Sequence, residues 1–168
     1  MSIRVELVEA RGEPVWPRPG RLFAASTAHT FGQLATAIDI AFARWDQSHL
    51  HEFELPGGVR IGPPDPDNDE TLDERRQTLS KLRTDKQFVY SFDLGDDLAH
   101  LCTLLDENLD PREVLGSIPP APTPYFGWGP IPDQYGRMWA DDDGESPTPP
   151  DPGLSDLPPL RPDWGAGV

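Results

Sequence analysis

Residues 30–55 read TFGQLATAIDIAFARWDQSHLHEFEL, and the hydrophobic period changes within them. Phe31, Leu34, Ile38, Phe42 and Trp45 fall three or four apart, with the small Ala35, Ala37 and Ala41 among them, which predicts an amphipathic helix. Thr30 followed three residues later by Gln33 forms a capping box, so the helix is placed from Thr30 to about Trp45. The period then drops to two. His49, His51, Phe53 and Leu55 alternate with Leu50, Glu52 and Glu54, the pattern of a strand. A helix with one apolar face needs a sheet to cover, and the remaining periodic segments supply one.

Upstream, IRVELVE alternates Ile3, Val5 and Leu7 with Arg4 and Glu6, and RLFAAS (21–26) reads as a second strand. The prolines and glycines of RGEPVWPRPG between them make a connection rather than a strand. Downstream, PGG (56–58) is a turn and VRIG a short return strand, PPDPDNDE (63–70) an acidic loop, and TLDERRQTLSKLR (71–83) short helical turns anchored by Leu72, Leu79 and Leu82. FVYSFDL, the turn Gly95-Asp96-Asp97 and LAHLCTLL form a hairpin, with Phe88, Tyr90, Phe92 and Leu94 on one face. Asp110 with Pro111 opens one helical turn. The segment PPAPTPYFGWGPIPDQYGRMW, dense in proline, glycine and aromatics, is expected to be irregular chain packed on the domain, with structure ending near Trp139.

These elements specify an α+β fold: a mixed sheet with one core helix, a β-grasp-like start (hairpin, helix, strand) and a C-terminal hairpin. One domain spans residues 1–140. Residues 141–168 carry seven acids, one base and seven prolines, a composition read as a disordered acidic tail. The whole chain has 29 acids against 14 bases, a net charge of −15 that disfavours direct contact with nucleic-acid phosphates or anionic membranes. Cys102 is the single cysteine, which excludes a disulfide framework and fits a reducing cytoplasm. No apolar run approaches the length of a membrane span, and the first residues lack the apolar stretch of a secretion signal.

Four groups of residues invite chemistry. His49 and His51 share a strand face roughly 6 to 7 Å apart, and His100 lies on another strand of the same sheet. If the faces coincide, the three imidazoles with Asp93 or Asp97 make a set suited to zinc or another divalent metal. The bland alternative is core histidines bonded to carbonyls or carboxylates. Asp93, Asp96 and Asp97 suit magnesium or an acid/base pair, but also the demands of a tight turn. His100 and Cys102 project in parallel from one strand, a poor geometry for a nucleophile and its base. Trp16, Trp45, Trp128 and Trp139 offer stacking or peptide-groove surfaces, with Trp45 better placed as core.

The ordered motifs PVWPR, WDQSHLHEF and YSFDLGDDLAH resemble those of the plasmid pRiA4b ORF-3-like family, whose members include passenger proteins of transposons, some labelled as resolvase-like (TnpR-like). The resemblance covers residues 3 to 107. It rests on Pro14, Trp16 and Arg18; on Trp45, His49, Leu50, His51 and Phe53; and on Tyr90, Phe92, Asp93, Gly95, Asp96 and His100. Pro17 and Leu98 depart from its usual Arg and Trp. It implies a compact α+β domain and no particular activity, and no serine or tyrosine recombinase motif accompanies it. The combined expectation is a cytoplasmic, non-enzymatic interaction or accessory domain associated with mobile elements. It takes a protein partner and needs no cofactor. The alternative is a metal-binding protein or metal-dependent enzyme using His49, His51 and His100.

Overall fold

The computed structural model of the chain describes residues 1–65, 70–83, 86–105 and 109–134. The expected tail at 141–168, Trp139 and the centre of the acidic loop lie outside the described residues. In chain order the elements are β1 (Ser2–Ala10), β2 (Glu13–Pro14), β3 (Gly20–Ala24), α1 (Phe31–Ala41), β4 (His51–Leu55), β5 (Val59–Gly62) and β6 (Thr71–Asp73). A 3-10 turn (Leu79–Lys81), β7 (Gln87–Phe92), β8 (Leu98–Leu105), α2 (Pro111–Leu115) and β9 (Thr123–Trp128) follow. No helix among the described residues is long and apolar enough to cross a membrane.

Among the described residues nine strands form one mixed sheet in the order β6-β5-β4-β7-β8-β1-β3-β9, with β2 hydrogen-bonded to β1. Among the described residues only the β5/β6 pair is parallel. The start is a hairpin, a helix and a strand, with the β7/β8 hairpin standing between β4 and β1. Period two puts Ile3, Val5 and Leu7 of β1, Phe53 of β4, and Phe88, Tyr90 and Phe92 of β7 on the covered face, together with Leu98, His100, Cys102 and Leu104 of β8. Helix α1 lays Phe31, Leu34, Ala35 and Ile38 into that face, with the Phe31 ring edge-on to Phe53 at 5.1 Å. Each such aromatic buries enough apolar area that truncation to Ala costs about 3–5 kcal/mol.

The capping box forms as read: the Thr30 side chain accepts from Gln33 N–H and the Gln33 side chain accepts from Thr30 N–H. The helix stops at Ala41, short of Trp45. Ala43 adopts φ 54°, its N–H donates to Ile40 O, and Arg44 N–H donates to Asp39 O. This is a Schellman ending with alanine where glycine is usual. It turns Arg44 inward and leaves Trp45 43% exposed, its indole N–H donating to Asp133, so Trp45 is not core.

Three further expectations are corrected. Residues 71–73 form a parallel edge strand rather than a helical turn, because Glu74 N–H continues the ladder to Gly62 O. Leu72 consequently sits on the surface, while Leu79 and Leu82 are the anchors. Residues 123–128 form a regular edge strand where irregular chain was expected. An edge tolerates proline, and Pro124 falls where the β3/β9 register shifts. Leu94 leaves the β7 face and is exposed, since Asp93 takes φ 55° and ends the strand.

Candidate functional site

Six ionisable side chains meet between α1 and the sheet. Asp39 is the one charged residue of α1 and sits one helical turn after Ala35 on the buried face. Its Oδ1 accepts the Tyr90 hydroxyl at 2.7 Å. Burial pushes the Asp39 carboxyl up to about 6, against the pull of Tyr90, His51 and Arg44. Burial and then the Asp39 charge push the Tyr90 phenol well above its ordinary value.

Arg44 and His100 form the second pair. Arg44 Nη2 lies 3.1 Å from His100 Nε2, and His100 Nδ1 lies 3.2 Å from Tyr90 O. A guanidinium only donates and a carbonyl only accepts, so the imidazole carries its proton on Nδ1 and is neutral. Burial, then the Arg44 charge, hold His100 well below the usual histidine range. Burial lowers Arg44 to about 10, and its Nε and Nη1 are buried without a hydrogen-bond partner among the described residues. The face of Phe92 lies under its guanidinium at 5.9 Å.

The third pair joins His51 Nε2 to Glu74 Oε2 at 2.8 Å. Burial lowers the His51 pKa, but the Glu74 hydrogen bond and the charges of Glu74 and Asp39 outweigh it and the net shift is upward. Gly32 makes room for this pair: a Cβ there would stand 3.3 Å from Glu74 Oε1.

The three imidazoles named as metal ligands are not brought together. His49 contacts Asp46 and Asp93 at 3.2 Å each, His51 takes Glu74, and His100 takes Arg44. Strand β7 separates β4 from β8. The Tyr90 ring therefore stands between His51 and His100, its centroid 5.7 Å from one and 5.6 Å from the other. Two strand spacings are roughly 10 Å, far beyond a shared coordination sphere. Among the described residues no three His, Cys, Asp or Glu are grouped to hold a metal ion.

Turn chemistry accounts for the DLGDD carboxylates. Asp93 Oδ1 accepts from Gly95 and Asp96 N–H at 3.2 and 3.4 Å, Asp97 N–H donates to Asp93 O, and Asp97 has φ 48°. Cys102 is buried, its thiol is pushed up by burial, and its Sγ lies 3.8 Å from the His100 carbonyl oxygen. Trp16 is 84% exposed. Arg18 is exposed too, and its carbonyl accepts the Trp128 indole N–H at 3.0 Å.

A cleft of about 390 Å³ opens at the far end of β4 and β7, away from these groups. Its floor is Leu55, Leu82 and Phe88, its wall Val59, and its rim Lys81, Arg83 and Lys86. Lys81 and Lys86 are the only lysines of the chain. Neither has an ion-pair partner among the described residues, and Arg83 donates only to the backbone carbonyls of Ser80 and Leu82. Sequence reading passed over this site because its lining comes from four separated segments, each unremarkable alone.

The family model described as plasmid pRiA4b ORF-3-like protein matches residues 1–118. The chain belongs to this family. Among solved structures it is similar to a protein of unknown function from Methanosarcina mazei Go1, at 25% identity and a TM-score of 0.51 over 65% of this chain. It spans 63% of that protein's length. No curated protein matches. Both the six-residue network and the cleft lie within the matched pRiA4b ORF-3-like segment, whereas β9 lies beyond it.

Proposed function

We propose that this pRiA4b ORF-3-like chain is a non-enzymatic interaction domain whose cleft takes acidic, leucine-bearing peptide segments of a protein partner. The observation that carries the reading is the charge of the cleft: on a chain of net charge −15, both lysines and Arg83 rim an apolar floor. Apolar floors capture side chains and flanking cations select acidic neighbours. The groups fitted for proton transfer lean the other way. Asp39, Arg44, Tyr90 and His100 are buried and partnered with one another, out of reach of a substrate. The single buried cysteine supports a cytoplasmic setting, and the plasmid-derived family supports an accessory role on mobile elements. The metal-dependent alternative has less support, since each of its three histidines has a separate partner.

The test is a titration of the isotope-labelled chain with short synthetic peptides, acidic and leucine-bearing against basic ones of equal length, followed by amide shifts. The reading predicts that only acidic peptides move Leu82 and Phe88, and that Lys81→Glu with Lys86→Glu abolishes the effect. Acidic peptides that leave these amides in place would refute it.

A further inference from the structure

The sheet comes apart at one end, and the cleft is the gap. The β4/β5 register runs to Leu55↔Val59 and the β7/β8 register to Gln87↔Thr103, whereas the β4/β7 register ends at Glu54↔Val89. Leu55 and Phe88 would be the next pair, and instead they form the cleft floor with Leu82. The inner end is closed. Phe53, two residues before Leu55 on the same strand face, is 0% exposed, and its ring centroid lies 6.2 Å from that of Phe88 and 4.6 Å from that of Tyr90. The outer end opens between the exposed turn at Pro56 and the exposed Lys86 and Gln87. A gap with one mouth gives no exit to a chain that passes through, so it suits a chain end.

We propose that this gap receives the free C-terminal residue of a partner polypeptide, an apolar side chain of leucine size entering the floor while its α-carboxylate meets Lys81 and Lys86. This rests on the reading of the cleft as an interaction surface and names the part of the partner it takes. The charges lie on one lip only. Lys81, Arg83 and Lys86 come from the run 81–86, in which Asp85 is the only acid, while the opposite lip, Pro56 to Val59, has no charged residue. Arg83 is turned to the carbonyls of Ser80 and Leu82, so the two exposed lysines are the cations placed for an incoming anion. A terminal residue satisfies both halves of such a site, because charge and apolar side chain then belong to one Cα; capture of a terminal carboxylate is a recurring mode of peptide recognition. An interior leucine brings no charge of its own, and its chain would continue in both directions, one of them into Phe53. The lysines would repel the ammonium of the other chain end. A volume of about 390 Å³ is near the lower bound of ligand pockets, roughly 300–1,000 Å³, and suits a terminal residue better than a long segment.

The experiment titrates the isotope-labelled full chain with three acidic peptides of one composition. The first ends in leucine with a free carboxylate, the second is its C-terminal amide, and the third has the leucine moved to the middle and glycine at its free end. The first is expected to shift the amide signals of Leu82, Gln87 and Phe88. The other two are expected to bind at least about tenfold more weakly, the loss of one charge-assisted contact. In Lys81→Gln/Lys86→Gln, substitutions confined to the exposed rim, the acid is expected to bind no better than the amide. Equal affinity for acid and amide overturns the proposal, as does equal binding of the interior leucine or an acid preference that survives both substitutions. In each of those cases the interaction reading stands, since the cleft still binds. If none of the three peptides shifts the cleft amides, both fall.

Discussion

Asp39 is the residue on which the buried network turns. Its carboxyl is raised from 3.8 to about 6 chiefly by burial. A group whose folded pKa is raised stabilises fully below its unfolded pKa, and that contribution is lost as pH rises through the folded value. Asp39 therefore costs stability over the window from about 4 to above 6, by up to about 3 kcal/mol at 1.36 kcal/mol per unit. His51 is raised as well, so its contribution is also lost as pH rises past its folded value. His100 is lowered, so its contribution is lost as pH falls below 6.5. Urea midpoints measured across this range should fall less steeply with rising pH in Asp39→Asn than in the native chain; parallel curves would contradict the assignment. Tyr90→Phe removes the hydroxyl that Asp39 accepts, and a loss of about 1–3 kcal/mol is expected in the same unfolding assay. His49, His51 and His100 were legible as a set in the sequence, but their partners were not. Apart from Asp46, which stands three residues before His49, the partners Asp93, Glu74 and Arg44 come from segments that only the fold brings to them. The lone charge inside FGQLATAIDIA was the available signal for Asp39.

At the scale of elements, periodicity located what it could measure. The capping box, the start of α1, the β7/β8 hairpin and the Asp110-Pro111 turn form where the pattern puts them. The misplaced boundaries have local causes. Helix α1 ends at an alanine held at φ 54°, a conformation glycine adopts without a Cβ penalty. Ala43→Gly is accordingly expected to raise stability by up to about 1 kcal/mol, read as a higher thermal midpoint. Strand β9 was hidden by its prolines, and it is held instead by glycines on its partner and on itself. A Cβ at Gly20 would overlap the Trp128 ring, and one at Gly127 would stand 2.6 Å from Arg21 Cδ. Gly20→Ala should destabilise the protein by about 1–3 kcal/mol, with hydrogen exchange rising first along β9. Unchanged protection there would contradict the packing.

For the whole molecule, alternation along the strands fixes which sheet face is covered, and so the α+β class was readable in one dimension. Strand order was not, because inserting β7 and β8 between β4 and β1 depends on contacts distant in sequence. That insertion separates the histidines by one strand and turns a metal-like motif into three separate polar pairs. It also assembles the cleft, at the opposite end of β4 from His49. The central claim is this division of labour, with the buried network holding the fold and the basic-rimmed cleft meeting a partner. Recording amide and imidazole signals together while an acidic leucine-bearing peptide is added tests it most directly. The account predicts that Leu82 and Phe88 amides move while the His51 and His100 ring signals stay in place. Ring signals that move with ligand while the cleft amides stay still would contradict it.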